Sequence, residues 1–331
     1  MTGLSDSFQR PIDYMRVAIT DRCNLRCVYC MPEQGVPWMQ HSDILTYEEI
    51  FSIIQASAEL GISKIRITGG EPLVRLGIVD FVQMISRIKG IEDIAMTTNG
   101  IYLAKYALDL KKAGLNRVNV SLDTLQPEKF KQICRGNNEG AEIENVLSGI
   151  GAAKSAGLNP VKINMVVMVG VNDDEIQDFA RKTLDEDWHI RFIELMPFTG
   201  HDGKTPPGLT AREMKQRIDP LGKMEPYKHT WGNGPAKYYQ LPGAKGTIGF
   251  ITALSEHFCF SCNRLRLTAD GKLRPCLMSE TMIDLREPIR DGISSDKLKE
   301  LIREAVNAKP MGHHLAQGER PNDRPFCQVG G

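Results

Sequence analysis

The stretch "YMRVAITDRCNLRCVYC", residues 14–30, carries two signals in succession. Residues 14–20 read as a short strand. The loop that follows places Cys23, Cys27 and Cys30 in a C-x3-C-x2-C spacing, unlike the plain C-x2-C of a zinc knuckle or a redox dithiol. Two questions follow: what sheet the strand belongs to, and what needs three thiolates so close together.

The rest of the chain answers the first. Strand-like runs recur at residues 63–69, 93–98, 117–122, 161–169 and 189–196. Amphipathic stretches at 46–61, 77–90 and 99–115 lie between them, with apolar residues at i, i+3 and i+4 and with Gly61, Gly90 and Gly114 at candidate C-caps. Residues 141–158 and 172–187 continue the alternation. Strands separated by helices imply right-handed βαβ units and a parallel sheet. Six such units fall short of the eight that close a full barrel. The expected fold class is therefore α/β, an incomplete (β/α)6 TIM-type barrel over residues 1–200. A smaller C-terminal extension, 201–331, would cover the open side.

"FTGHDGKTPPGLT" (198–210) marks that boundary as a loop rich in Gly, Pro and Thr. Beyond it the sequence predicts a short helix at 211–222 and β-like segments at 236–243 and 246–254. A hairpin turning at Asp270-Gly271 and a final helix over 294–309, N-capped by Ser294, complete it.

Composition narrows the function classes. The 41 basic and 41 acidic residues cancel, so nothing global favours nucleic acid or an acidic membrane surface. No run approaches the ~18 apolar residues of a membrane span. The first residues lack a signal peptide's basic start and apolar core. The expectation is a soluble, cytoplasmic protein with no nucleic-acid or membrane partner.

Thiols stay reduced in that compartment. Six of the eight cysteines form two groups, Cys23, Cys27, Cys30 and then Cys259, Cys262, Cys276, while Cys134 and Cys327 stand apart with no assigned role. Three thiolates can hold three irons of a [4Fe–4S] cube and leave the fourth without a protein ligand. Zinc is the alternative, needing a fourth donor; for the second group His257, His313, His314 or Cys327 are within sequence reach. Next to the first group, "GGEP" (69–72) ends the second strand. Its glycines allow close backbone approach to a ligand, and Glu71 offers a carboxylate to an ammonium group.

C-x3-C-x2-C after the first strand with Gly-Gly-Glu-Pro after the second resembles the radical S-adenosylmethionine superfamily. "CNRLRLTADGKLRPCL" (262–277) and the terminal Gly330-Gly331 make the chain similar, within it, to the branch that cyclises GTP in molybdenum-cofactor biosynthesis. The likeness runs from near Ile12 to the end of the chain. It implies two [4Fe–4S] clusters and S-adenosyl-L-methionine chelated to the open iron of the first. Reductive cleavage then yields a 5′-deoxyadenosyl radical that takes hydrogen from C3′ of GTP. The C3′ radical attacks C8, and an electron and a proton complete the lyase product. The second cluster would hold the guanine.

The resemblance also implies site residues. Tyr29, Gly70, Ser121 and Met196 correspond to contacts with S-adenosylmethionine. Arg16, Arg66, Thr97, Lys162, Arg191, Arg264 and Arg266 correspond to contacts with GTP, with Thr98 an alternative to Thr97. Arg264 and Arg266 alternate, so in a strand both would face one side. Charge-assisted Arg–phosphate contacts suit a triphosphate. A reducing electron donor, a downstream cyclic pyranopterin monophosphate synthase and a homodimer are partners the resemblance admits. The terminal glycine pair would reach into the active site, and "RPFCQV" before it departs from the pattern of relatives. Two other readings remain open: a peptide-maturing radical enzyme with an auxiliary cluster, and a non-catalytic iron–sulfur redox protein.

Overall fold

In the computed structural model, the described residues are 3–135, 141–196, 207–228, 234–313, 315 and 328–329. Six strands, β1 (Tyr14–Ala18), β2 (Lys64–Thr68), β3 (Asp93–Thr98), β4 (Arg117–Ser121), β5 (Lys162–Val167) and β6 (His189–Glu194), pair in chain order, all parallel. Between them run α1 (Tyr47–Glu59), α2 (Ile78–Ile85), α3 (Leu103–Ala113), α4 (Pro127–Cys134), α5 (Ile143–Ser155) and, before β6, α6 (Ile176–Asp185). This is the incomplete (β/α)6 barrel that the alternation predicts.

The rest of the chain joins the same sheet. After α7 (Ala211–Ile218) come β7 (Glu225–Pro226), β8 (Lys237–Gln240), β9 (Thr247–Ile251), β10 (Arg264–Leu267), β11 (Lys272–Arg274) and β12 (Ile283–Asp284). Strand β9 lies parallel to β6 on one edge, and β10 lies parallel to β1 on the other. The order is β12-β11-β10-β1-β2-β3-β4-β5-β6-β9-β8-β7. Eight parallel strands thus curve side by side, and β8 and β11 continue the edges antiparallel. The chain ends its regular structure with α8 (Arg286–Arg290) and α9 (Ser295–Asn307), the latter N-capped by Ser294 as expected.

Apolar and polar residues alternate along the strands with period two. Met15, Val17, Ile65, Ile67, Val118, Val120, Ile163, Met165, Ile190 and Phe192 are fully buried and belong to the hydrophobic core. The intervening Arg16, Arg66, Asn119, Asn164 and Arg191 line a cavity on the other face. A parallel sheet with both faces in a dry core would read as continuous apolar runs. Here the inner face is polar, so the barrel encloses a binding space rather than packed hydrocarbon.

The helices deviate from expectation at their ends. The stretch 77–90 is helical only to Ile85, because Arg87 and Ile88 donate three residues back to Met84 and Ile85, and the Ser86 hydroxyl competes for the Gln83 carbonyl. The stretch 99–115 starts at Leu103, since Asn99 and Gly100 finish the β3 loop; Gly100 has φ +83, and a Cβ there would lie 2.9 Å from methyls of Val120 and Val146. Gly114 does cap α3 with φ 110. Gly330-Gly331, Cys327, His314 and most of the 198–210 loop lie outside the described residues.

Candidate active site

The first cysteine loop is fixed from two sides. The amides of Arg26 and Val28 donate to the Cys134 and Ile133 carbonyls at the end of α4, at 2.8 and 2.9 Å. Its own turn closes through Cys30 N to Cys27 O at 2.8 Å. From the other side, Gly70 N donates to Thr20 O and Glu71 N to Arg22 O, both at 2.8 Å. A Cβ on Gly70 would stand 2.3 Å from the Arg22 oxygen, and one on Gly69, with φ +145, 2.5 Å from the Thr20 oxygen. The two glycines let β2 press against the backbone of the cysteine loop. Cys23, Cys27 and Cys30 then line the cavity together. The Cys27 thiol is held well above its usual pKa, first by its hydrogen bond with Cys134 and then by burial. A thiolate there calls for a cation beside it.

Glu71 does not stand free for an ammonium group. Its Oε1 accepts from Leu73 N at 3.0 Å and Thr98 Oγ1 at 2.7 Å, and its Oε2 from Asn99 N at 2.6 Å. Burial raises its pKa to about 7 against the lowering effect of the Asn99, Leu73 and Thr98 donors. With the folded value above the ordinary 4.5, the folded state binds the extra proton between those values. Its contribution to stability is therefore fully present below about 4.5 and falls as pH rises to about 7. Glu71→Gln should abolish that dependence and turn an NH2 group toward a backbone N–H. Urea unfolding at pH 5 and pH 8 should show a loss of about 1–3 kcal/mol at the higher pH. An unchanged parental midpoint between the two would mean that Glu71 does not take up a proton on folding.

Cations dominate the cavity wall. Arg16, Arg66, Arg191, Arg264, Arg266 and Lys309 line it, against only Glu71 and Asp123. The register places Arg266, Arg16 and Arg66 side by side on β10, β1 and β2. Arg264 and Arg266 share the inner face, as their alternation predicts. Arg16 is held well below its usual pKa by burial and then by Arg266, and Arg266 is lowered to about 10 by burial and Arg264. Asp123, raised to about 6 by burial, accepts from Tyr29 OH at 2.8 Å and Val166 N at 2.8 Å.

Tyr29, Gly70, Ser121, Met196, Thr97 and Arg191 also line this cavity. Lys162 is not among the lining residues; it is buried, in register with Asn119 and two residues before Asn164, 5.9 Å from the Tyr238 ring centre. Burial, then Arg191, Arg117 and Arg66, lower its pKa to about 5. Thr98 and Thr97 separate cleanly, because the Thr98 hydroxyl bonds Glu71 and Gly100 N, whereas Thr97 Oγ1 is buried without a partner. Nine buried side-chain polar atoms among the described residues lack a partner. Five of them, Arg66 Nη1, Thr97 Oγ1, Asn119 Oδ1, Asn164 Oδ1 and Arg191 Nε, belong to residues of this wall. Orphaned groups at such density mark a place for a polar ligand. Sequence reading missed Asn119, Asn164, Asp123 and Lys309. For the two asparagines a signal existed, a polar residue at alternate positions of an apolar strand.

The second triplet lies on the same cavity, from the loop before β10 and the turn after β11. Burial alone would raise the Cys262 pKa, but Arg264 and Lys309 outweigh it and bring it down to about 6. His313, one of the zinc donors considered, lines the wall, its ring 4.9 Å from that of His257. Among the described residues, no three His, Cys, Asp or Glu side chains converge on one ion-sized point. A single zinc ion needs its donors around one centre, whereas a cube takes one thiolate per iron.

Comparison with known proteins bears on this cavity. The Radical SAM superfamily matches residues 17–183, and the family described as Molybdenum Cofactor Synthesis C matches 188–315. A GTP 3′,8-cyclase of Heliobacterium modesticaldum is 51% identical, with 98% of this chain and 99% of that one covered. The GTP 3′,8-cyclase of Moorella thermoacetica is 50% identical over 99% of this chain and all of its own. This chain belongs to the GTP 3′,8-cyclase family. A cyclase of this superfamily uses a [4Fe–4S] cluster and S-adenosylmethionine. The fold is shared more widely: Streptococcus suis SuiB, solved bound to S-adenosylmethionine, superimposes with a TM-score of 0.63 at 14% identity, covering 96% of this chain and 77% of its own. Among the described residues of the cyclase, no helix is long and apolar enough to cross a membrane.

Proposed function

We propose that this chain converts GTP to (8S)-3′,8-cyclo-7,8-dihydroguanosine 5′-triphosphate, the first step of molybdenum-cofactor biosynthesis. The observation that carries the reading is one cavity on which two cysteine triplets and an in-register row of arginines meet. Cys23, Cys27 and Cys30 hold the first cluster, with Tyr29, Gly70, Ser121 and Met196 around S-adenosylmethionine. That pair supplies the radical chemistry that removes hydrogen from C3′. The remaining work is positioning. Arg16, Arg66, Lys162, Arg191, Arg264 and Arg266 hold the triphosphate, Lys162 as a buried cation close to Arg191 and Arg66. Thr97 supplies the hydroxyl, in preference to Thr98.

Cys259, Cys262 and Cys276 hold a second cluster whose open iron binds guanine, fixing C8 near C3′ and keeping water away. Residues 1–200 form the radical unit and 201–331 the guanine-holding unit. A low-potential electron donor, a downstream cyclic pyranopterin monophosphate synthase and a cytoplasmic setting complete the reading; a homodimer is compatible with it.

The test is anaerobic. With dithionite, S-adenosylmethionine and GTP, the reconstituted protein should yield the cyclic nucleotide and 5′-deoxyadenosine. Replacing GTP with ATP should leave only uncoupled cleavage. Parental protein should hold about two cubes of iron, and Cys276→Ala should lose about half while keeping the first. Stoichiometric zinc with one cluster's EPR signal would sink the two-cluster reading.

A further inference from the structure

The second triplet is held by an element that its own sequence neighbourhood does not contain. Residues 5–11 fold into a tight loop, closed by a bridge between Ser5 and Pro11. Inside it, Asp6 Oδ1 accepts from Phe8 N at 2.9 Å and Arg10 N at 3.0 Å, and Asp6 Oδ2 pairs with Arg10 Nε at 2.6 Å. Both charged side chains are buried. The carboxylate therefore aims the guanidinium in one direction. There Arg10 Nη1 donates to Cys259 O at 2.7 Å and Met311 O at 2.9 Å, and Nη2 donates to Pro310 O at 2.6 Å. Three segments of the chain, at residues 10, 259 and 310–311, meet on one side chain.

A second buried cation closes the other side. Lys309, only 3% exposed, donates from Nζ to Arg264 O at 2.7 Å and to Pro275 O at 2.6 Å. Those carbonyls lie two residues after Cys262 and one before Cys276. Arg10 thus anchors the start of the triplet, and Lys309 links its middle to its end. Cys262 and Cys276 line the same cavity wall as Lys309, so as cluster ligands their sulfurs would bring negative charge to its side. A neutral donor would satisfy the carbonyls equally well, so the positive charge points to a negatively charged neighbour.

We propose that Arg10 and Lys309 are positioning residues for the second thiol triplet: a clasp that sets its distance from the first, with Lys309 also balancing its charge. Neither side chain needs to touch GTP. This rests on the two-cluster reading above. A thiolate-ligated cluster with open coordination presents guanine usefully only if it stands at a fixed place relative to the radical source. A clasp of charge-assisted bonds to backbone carbonyls provides that rigidity without using a ligand.

The experiment compares parental enzyme with Arg10→Gln, Lys309→Met and Lys309→Arg, all reconstituted anaerobically. Three quantities are read: iron per chain, the EPR signal and midpoint potential of the second cluster with and without GTP, and cyclic nucleotide formed per 5′-deoxyadenosine released. Arg10→Gln should keep the first cluster and cleave S-adenosylmethionine, while the product ratio drops at least roughly tenfold and the GTP-induced EPR change disappears. Lys309→Met should shift the second cluster's potential to more negative values, because a lost positive charge disfavours the reduced state. Lys309→Arg should restore it in part. Variants with both clusters, a GTP-responsive signal, an unshifted potential and a parental product ratio would overturn the clasp alone. Loss of both clusters together in Arg10→Gln would assign Arg10 to the fold and overturn its positioning role. A single cluster in the parental protein would overturn the two-cluster reading itself, and the clasp with it.

Discussion

Cys27→Ala should abolish reductive cleavage of S-adenosylmethionine, whereas Cys259→Ala should retain uncoupled cleavage and form no cyclic nucleotide. Both side chains line one cavity, so position alone does not separate them. Their surroundings do. Cys27 sits on the loop clamped between the end of α4 and the Gly69-Gly70 turn, with the Tyr29–Asp123 pair beside it. Cys259 sits on the loop before β10, beside the arginines that suit a triphosphate. Removing a ligand from the first group removes the iron that cleaves the sulfonium. On the two-cluster reading, removing one from the second would leave that iron intact and the guanine unheld, so cleavage would run uncoupled from cyclisation. The measurement is 5′-deoxyadenosine against cyclic nucleotide by chromatography, on protein whose iron has been counted. Identical loss of both products in the two variants, each retaining its other cluster, would defeat this division of roles.

Why the cysteines were legible and the clasp was not is a matter of range. The first six strands announce themselves through local apolar runs, and the thiol spacing is a local signal as well. Strands β9 and β10 read correctly as β-like from their own residues, yet nothing local says that they join opposite edges of the barrel sheet. That placement is a long-range pairing, decided by which edge strand is left open. Asp6 and Arg10 look like ordinary surface charges, and only the return of residues 310–311 beside Cys259 gives the Arg10 guanidinium its carbonyl partners. Lys162 is the opposite case. Its position in β5, two residues before Asn164, invites a place on the cavity wall, but the side chain is buried close to Arg191 and the Tyr238 ring and does not line the open space. Glu71 was legible as a carboxylate in a motif but not as the acceptor of three donors, two of them from β3 and its loop.

Arg266→Met should weaken GTP binding by about 1.5–3 kcal/mol, the range for hydrogen bonds to charged groups, and at the same time make the ligand-free protein more stable. The two effects have one cause. Arg266, Arg16 and Arg66 stand in register on adjacent strands, all buried or nearly so, facing the same space. Guanidiniums held side by side repel each other and lose hydration. The lowered pKa of Arg266, about 10, records that cost in burial first and then Arg264. Neutral pH lies well below about 10, so the side chain is still charged there and the cost is present in full. A triphosphate relieves it by bringing negative charge to the row, which is why affinity and instability grow together. Methionine keeps much of the volume and removes the charge, so packing should survive. Substituting Arg16 as well should cost less than the sum of the single changes, since each removal relieves the other cation. Titration calorimetry with GTP and with S-adenosylmethionine, beside urea unfolding of the ligand-free protein, measures all of this. The row is an anion site only if GTP affinity falls, S-adenosylmethionine affinity stays, and the unfolding midpoint rises. A lower midpoint, or equal loss of both ligands, would make Arg266 a structural residue instead.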